Sequence, residues 1–451
     1  MSTFFKRDRG WLLLLLGLTL VRGAIYALVI PPWQAPDEPG HFEFAWLIAR
    51  LGRIPKKEDV SSAFEQELLA SLYEWRYGDL IGRPLPEEMP FRLDDLPPQI
   101  FARRARTVPS ERFSLAYVWQ ALFILPFLHQ DLTFQLFAAR FSSVLLNVGI
   151  VWLAWCTFQK LAPSRPSLGA LMTSLVVFVP QHTFTNSSVG EGPLAEWMAC
   201  LVLYSWVCLF HEGFGIWKAM GIVLGTLAGI WSKRTVLFLV PVDVGLAVWW
   251  LLRRPRRLWS GSRILYLCAG LVLLGLVLWG WSRSFLGVLT LRSLDRFLAF
   301  PELVWVDERG IPFGRALLLT YDSFWANFGW MVLTVSERWY GAVMSLSLLS
   351  LVGWGMRQKA RVPLVGVGIM ATSLLTATLF FAVGGLLLKP FYWIQGRYLF
   401  PVIVPYAFLL VGGLERLFTR RYGHFVILFL FFLVCFDTLC LVGYILPYFY
   451  S

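Results

Sequence analysis

Two neighbouring carboxylates, Asp37 and Glu38, lie in the stretch Pro31-Pro32-Trp33-Gln34-Ala35-Pro36-Asp37-Glu38-Pro39-Gly40-His41-Phe42, just past the first long apolar run. A carboxylate in such a place can take a proton from an attacking hydroxyl or hold a cation. Each proline fixes its own φ and pushes the preceding residue toward extended backbone, so the two acids are held rather than dangling. The competing reading is an ordinary pair of interfacial acids. His41 alone among the five histidines is near them, and no i,i+4 or HExxH spacing points to a histidine metal centre. Glu191, in Asn186-Ser187-Ser188-Val189-Gly190-Glu191-Gly192-Pro193, is a second candidate acid, with a solvated turn as its plain alternative.

The candidate cations are Lys233 and Arg234, at the tip of an apolar hairpin, and Arg397, in Lys389-Pro390-Phe391-Tyr392-Trp393-Ile394-Gln395-Gly396-Arg397-Tyr398. Cations held below the headgroup level are costly and tend to have an anionic partner or to line a wet cavity. Snorkelling to the headgroups is the rival explanation, and Trp393 and Tyr398 equally suit an interfacial aromatic belt. Arg22, Asp243 and Asp437 lie within apolar runs and are functional candidates by default, Arg22 with no partner that the sequence names.

The elements that must position these residues follow from composition. With 451 residues, 57% of them hydrophobic, and 22 Trp and 37 Phe, the chain is too apolar for a soluble domain and reads as an all-α, multi-pass membrane protein. The net charge of +12 needs no nucleic-acid partner, because the basic residues sit in short clusters between apolar runs. Cys156, Cys200, Cys208, Cys268, Cys435 and Cys440 all fall inside those runs, which argues against disulfides and zinc. The run from Trp11 to Pro31 follows Lys6, Arg7 and Arg9 and is of membrane-spanning length, so it reads as an uncleaved first helix.

Candidate spans lie near 11–31, 134–159, 167–185, 193–210, 215–232, 235–252, 264–285, 340–356, 362–388, 399–418 and 424–446, with 113–128 and 316–333 ambiguous. If 113–128 does not cross, the clusters Lys160/Arg165, Lys218, Arg253 to Arg257, Arg357 to Arg361 and Arg420/Arg421 all fall on the N-terminal, cytoplasmic side; if it crosses, all of them flip. The charges therefore predict about eleven transmembrane helices in one integral domain over 1–451, with the C-terminus outside. The outer loops fall near 32–133, 286–339 and 389–398, and the first carries juxtamembrane amphipathic helices, for example around Ser61 to Trp75. Gly221, Gly225 and Gly229 form a small-residue line suited to close helix packing.

Three segments together carry a resemblance. Pro36-Asp37-Glu38-Pro39-Gly40-His41-Phe42, then Ser323-Phe324-Trp325 with Phe328-Gly329-Trp330, then Gln395-Gly396-Arg397-Tyr398-Leu399-Phe400-Pro401 resemble domain-of-unknown-function family 2142. This is a group of bacterial membrane proteins related to the GT-C glycosyltransferases. The resemblance implies a GT-C fold around an outward-facing cavity in the bacterial cytoplasmic (inner) membrane. It also implies transfer of a sugar from a polyprenyl-phosphate donor to an envelope glycan, lipid or protein acceptor. Asp37, with Glu38, stands where that superfamily keeps its catalytic acid, and Glu191 where a second acid is common. His41 is offset by one residue from the related Asp-Glu-x-His pattern. A divalent cation, Mg or Mn, at the acid pair stays open, and no other cofactor is implied.

Such a reaction makes definite demands. Charge grows on the leaving phosphate, so fixed cations lower the barrier, and Lys233, Arg234 and Arg397 are the candidates, with Gln395 and Tyr398 beside them. The acceptor hydroxyl must lose a proton, and Asp37 is the expected base. Direct displacement would invert the anomeric centre. Two rivals remain: a transporter or flippase of lipid-linked saccharides, which more often shows repeated halves, and a non-catalytic subunit of envelope assembly.

Overall fold

The computed structural model describes residues 2–56, 58–59, 61–97, 100, 114–253, 312–356, 363–387 and 395–450. The expected span 264–285, Cys268, Arg254, Arg256, Arg257, Arg357, Lys359, Arg361 and the stretch 388–394 lie outside the described residues. The fold is 80% helical, so the chain is all-α as composition requires. Its described strands form a single hairpin, Asn327–Phe328 with Leu333–Thr334, paired antiparallel with Phe328 opposite Leu333.

Among the described residues, seven helices are long and apolar enough to cross a membrane: Arg9–Val29, Leu132–Leu161, Gly192–Glu212, Arg234–Leu252, Leu364–Ala382, Gly396–Leu417 and Thr419–Tyr450. Three more expected spans are helical but differ in kind. Residues 167–185 are two pieces, Pro166–Phe178 and Pro180–Thr185, parted at Val179, whose extended backbone is what a following proline demands. Ile216–Ser232 has 17 residues and rises only about 25 Å, short of the roughly 30 Å hydrocarbon layer. Glu337–Gly355 covers the expected 340–356 span. The ambiguous 113–128 segment is the helix Leu115–Ile124, capped by the Ser114 hydroxyl and closed by a 3-10 turn. At about 15 Å it is too short to cross.

The chain ends lie at opposite ends of the bundle. The first helix, Ser2–Val29, runs toward the acid turn, and Tyr450 donates back to the Val29 carbonyl at 2.7 Å. At the far end gather Lys160 and Lys218, both paired with Glu212, and Arg165, paired with Glu415.

The three interior charges singled out above are hydrogen-bonded. Arg22 donates through Nε to Asp437 Oδ2 at 2.9 Å and through Nη2 to Oδ1, and Tyr26 donates to the same carboxylate at 3.0 Å. Asp243 accepts from Trp206 Nε1 and Thr226 Oγ1, each at 2.6 Å. These two acids and Arg22 act as helix ties, the plainer of the two readings. Methyl groups at Gly221 or Gly225 would run into Ser205 and Val202 of the neighbouring helix Gly192–Glu212, so that line is a packing seam.

Candidate functional site

The acid turn is built by strain and clamps. Only four described non-glycine residues have left-handed backbone, and two of them are Trp33 (φ 71°) and Asp37 (φ 64°). Asp tolerates that region better than most residues, and strain of this kind persists only where the surroundings over-determine it. They do so here. Trp33 is fully buried, donates to Ser71 Oγ at 2.9 Å, and its carbonyl accepts from Trp330 Nε1 at 3.3 Å.

The turn sends the two acids to opposite fates. Glu38 is fully buried, and both its oxygens bind Arg140, Oε1 to Nε at 2.9 Å and Oε2 to Nη2 at 2.6 Å; Oε1 also accepts from the Val189 amide at 3.0 Å. Arg140 spends its remaining donors on the carbonyls of Ala27, Ile30 and Pro31, at 2.9, 2.6 and 2.9 Å. Glu38 therefore holds the turn to the helix Leu132–Leu161 and to the Glu191 loop, and the expected catalytic role does not suit it. Asp37 is 44% exposed at the head of the helix Glu38–Leu51 and faces Arg397, Nη2 to Oδ2 at 3.5 Å. A divalent ion bridging Asp37 and Glu38 does not fit this arrangement, since Arg140 occupies both Glu38 oxygens and a second guanidinium faces Asp37. Among the described residues, no group of three or more His, Cys, Asp or Glu side chains is placed to hold a metal.

Arg397 is positioned by the segment before it. The Gly396 amide donates to Ser323 Oγ at 2.7 Å, and a methyl group on Gly396 would collide with the Phe324 backbone. The three segments quoted above thus meet in space: Gly396 lies on Ser323-Phe324, while Trp330 of the hairpin holds Trp33 before the acid turn. Arg397 Nε and Gln395 Oε1 are buried without a hydrogen-bond partner among the described residues.

Tyr398 joins the cations. Its ring lies 5.4 Å from the Arg397 guanidinium and 4.8 Å from Lys233 Nζ, and it stacks on Phe381 at 6.2 Å. Lys233 reaches this point because its hairpin is short and because Ser114 Oγ ties the Ser232 carbonyl at 2.6 Å. Lys233 itself comes close to the Glu191 turn, its Nζ 3.9 Å from where a Cβ on Gly192 would stand. Arg234 follows, half-buried, at the head of the 3-10 turn Arg234–Phe238.

Glu191 is drawn in from the other side by Tyr117, whose hydroxyl donates to Glu191 Oε1 at 2.9 Å and contacts His41 Nδ1 at 2.7 Å. Gln120, one turn on, donates to the Gly190 carbonyl at 2.8 Å. Sequence reasoning missed Arg140, Tyr117 and Gln120. An arginine inside an apolar run, and two polar residues three apart in the short 113–128 segment, were the available signals. Tyr77, buried and near enough to feel both Asp37 and Glu38, has its phenol pushed far up, first by burial and then by those charges, so it stays neutral.

Beside Tyr398 and Phe381 opens an apolar cavity of about 370 Å³, lined by Phe313, Leu317, Phe324, Leu374, Leu399 and Tyr406 among others. No family model matches the chain, and a search of curated proteins finds no match.

Proposed function

We propose that the chain is a membrane glycosyltransferase of GT-C type, taking a sugar from a polyprenyl-phosphate donor and passing it to a cell-envelope acceptor with inversion. The observation that carries this reading is the meeting of a half-exposed carboxylate, Asp37, with Arg397, whose guanidinium shares the Tyr398 ring with Lys233, next to an apolar cavity lined by Phe381, on which that ring stacks. A lipid phosphate has that combination of needs: its chain suits the cavity, and its phosphate suits a guanidinium and an ammonium. Arg397 Nε, without a hydrogen-bond partner among the described residues, has a donor to spare for it.

In this mechanism Lys233 and Arg397 meet the charge that grows on the departing phosphate, where fixed cations lower the barrier most. Asp37 takes the proton of the attacking hydroxyl. Its pairing with Arg397 at 3.5 Å is half exposed and weak, so the guanidinium can turn to phosphate when donor arrives. Glu38 and Arg140 hold the turn, and Glu191 with His41 lies on the acceptor side. By the positive-inside rule the basic end is cytoplasmic, which puts the N-terminus inside, the C-terminus and the site outside, and fits eleven crossings of a bacterial inner membrane.

The test is incubation of the purified protein in nanodiscs with labelled polyprenyl-phosphate sugars and an envelope acceptor extract. Acceptor-dependent release of free polyprenyl phosphate supports transfer. Movement of intact donor between leaflets without release would instead make the protein a flippase.

A further inference from the structure

We propose that the apolar cavity beside Tyr398 takes about three isoprene units next to the donor phosphate and no more, so that a farnesyl-length donor is recognised as fully as a long polyprenyl one. The headgroup rests on the transferase reading; the capacity of the cavity does not. The wall decides what kind of molecule can enter. Thr320, Thr378, Tyr321 and Tyr406 bring hydroxyls to it, yet each is bonded within the protein. Thr320 donates to the Ala316 carbonyl at 2.9 Å and Thr378 to the Leu374 carbonyl at 2.8 Å, while the Tyr321 and Tyr406 oxygens lie 2.7 and 3.0 Å from Ser347 Oγ. With those groups engaged, the wall presents alkyl groups and ring faces, which suit a hydrocarbon rather than a sugar or a peptide.

Shape and size set the length. The helix Phe313–Trp325 faces the cavity at i, i+3, i+4, i+7, i+8 and i+11 from Phe313 to Phe324, a single stripe about 16 Å long at 1.5 Å per residue. The helix Leu364–Leu387 supplies a second wall. A dry apolar cavity of about 150 Å³ takes one benzene, so at the same volume per carbon about 370 Å³ takes about fifteen carbons, or three isoprene units. Two wall residues tie the cavity to the cations. Phe324 lies on Gly396, next to Arg397, and Phe381 stacks on the Tyr398 ring that Arg397 and Lys233 share. A phosphate on those cations therefore hands its first isoprene units to the cavity. Later units stay among the lipid tails, which are as apolar as the protein wall and give no reason to leave.

The test uses the full-length protein in nanodiscs and a farnesyl phosphate carrying a diazirine on its last isoprene unit, with geranyl, farnesyl, geranylgeranyl and undecaprenyl phosphates as competitors at matched mole fraction. Photolysis should mark the helices Phe313–Trp325 and Leu364–Leu387. Competitor affinity should rise about three- to tenfold from geranyl to farnesyl, the gain from trading loose lipid tails for a packed wall, and change less than about twofold from farnesyl to undecaprenyl. Leu317→Trp, at an exposed position about 10 Å along the helix from Phe324, fills the place of the third unit. It should bring farnesyl phosphate down to the affinity of geranyl phosphate and leave the latter unchanged. Affinity that climbs steadily to undecaprenyl, geranyl binding as well as farnesyl, or adducts on other helices would overturn the proposal. Phosphatidic acid should not compete; equal competition would make this a site for bilayer lipid and overturn it too. Length-limited binding without any sugar transfer would count against the transferase reading alone.

Discussion

Removing the Arg140 side chain should be the most damaging single change near the site, and the structure says by how much. Arg140→Met deletes five hydrogen bonds, leaves Glu38 buried with only the Val189 amide, and orphans the carbonyls of Ala27, Ile30 and Pro31. Breaking a buried pair by removing one partner costs about 3–5 kcal/mol, roughly a hundredfold to several thousandfold in the folding equilibrium. Glu38→Gln should cost less, because Arg140 keeps its three carbonyl partners. The double variant should recover part of the loss, with a coupling energy of about 1–3 kcal/mol. Reversible SDS titration in mixed micelles, followed by circular dichroism, measures all three. If Arg140→Met costs under about 1 kcal/mol, or the two effects simply add, the view of Glu38–Arg140 as the clamp on the acid turn is wrong.

Other outcomes follow from the same geometry. Lys233→Gln and Arg397→Gln should each weaken donor binding and lower turnover at saturating donor, since the phosphate charge they meet grows in the transition state; unchanged donor affinity and turnover in both would leave them as helix anchors. Gly396→Ala should lose at least about 1–3 kcal/mol, because a methyl there meets the Phe324 backbone, and normal thermal stability in that variant would refute the close approach. In a background without native thiols, a cysteine replacing exposed Glu74 should react from outside with an impermeant maleimide, whereas one replacing exposed Ser164 should not. The reverse pattern would invert the topology.

The sequence made the fold class plain, because its long apolar runs advertise themselves by apolarity alone, and seven of the eleven candidate spans are helices of membrane-spanning length among the described residues. The proline frame around Asp37 and Glu38 matches a turn with left-handed backbone at Trp33 and Asp37, and Lys233, for which the sequence predicts an anionic partner or a wet cavity, lies 4.8 Å from the Tyr398 ring. What could not be read is which of two adjacent acids turns inward. That depends on the left-handed backbone at Asp37 and on Arg140, about a hundred residues away in the chain. Arg22 looked partnerless for the same reason: Asp437 comes from the opposite end of the chain, and helix adjacency is a tertiary fact. Tyr117 was hidden because one tyrosine in an apolar segment has a plain core reading. Only its simultaneous contacts with His41 and Glu191 separate it from that reading.

The central claim is that Asp37 is the proton acceptor in a transfer whose donor phosphate sits on Arg397 and Lys233. Asp37→Asn tests it cleanly, because asparagine also tolerates the left-handed backbone, and loss of the charge frees Arg397 for phosphate. The decisive measurement is acceptor-dependent release of polyprenyl phosphate by wild type and Asp37→Asn, side by side with donor affinity. The account predicts equal or tighter donor binding in the variant and turnover lower by about a hundredfold to ten-thousandfold. Turnover within a few-fold of wild type would contradict it.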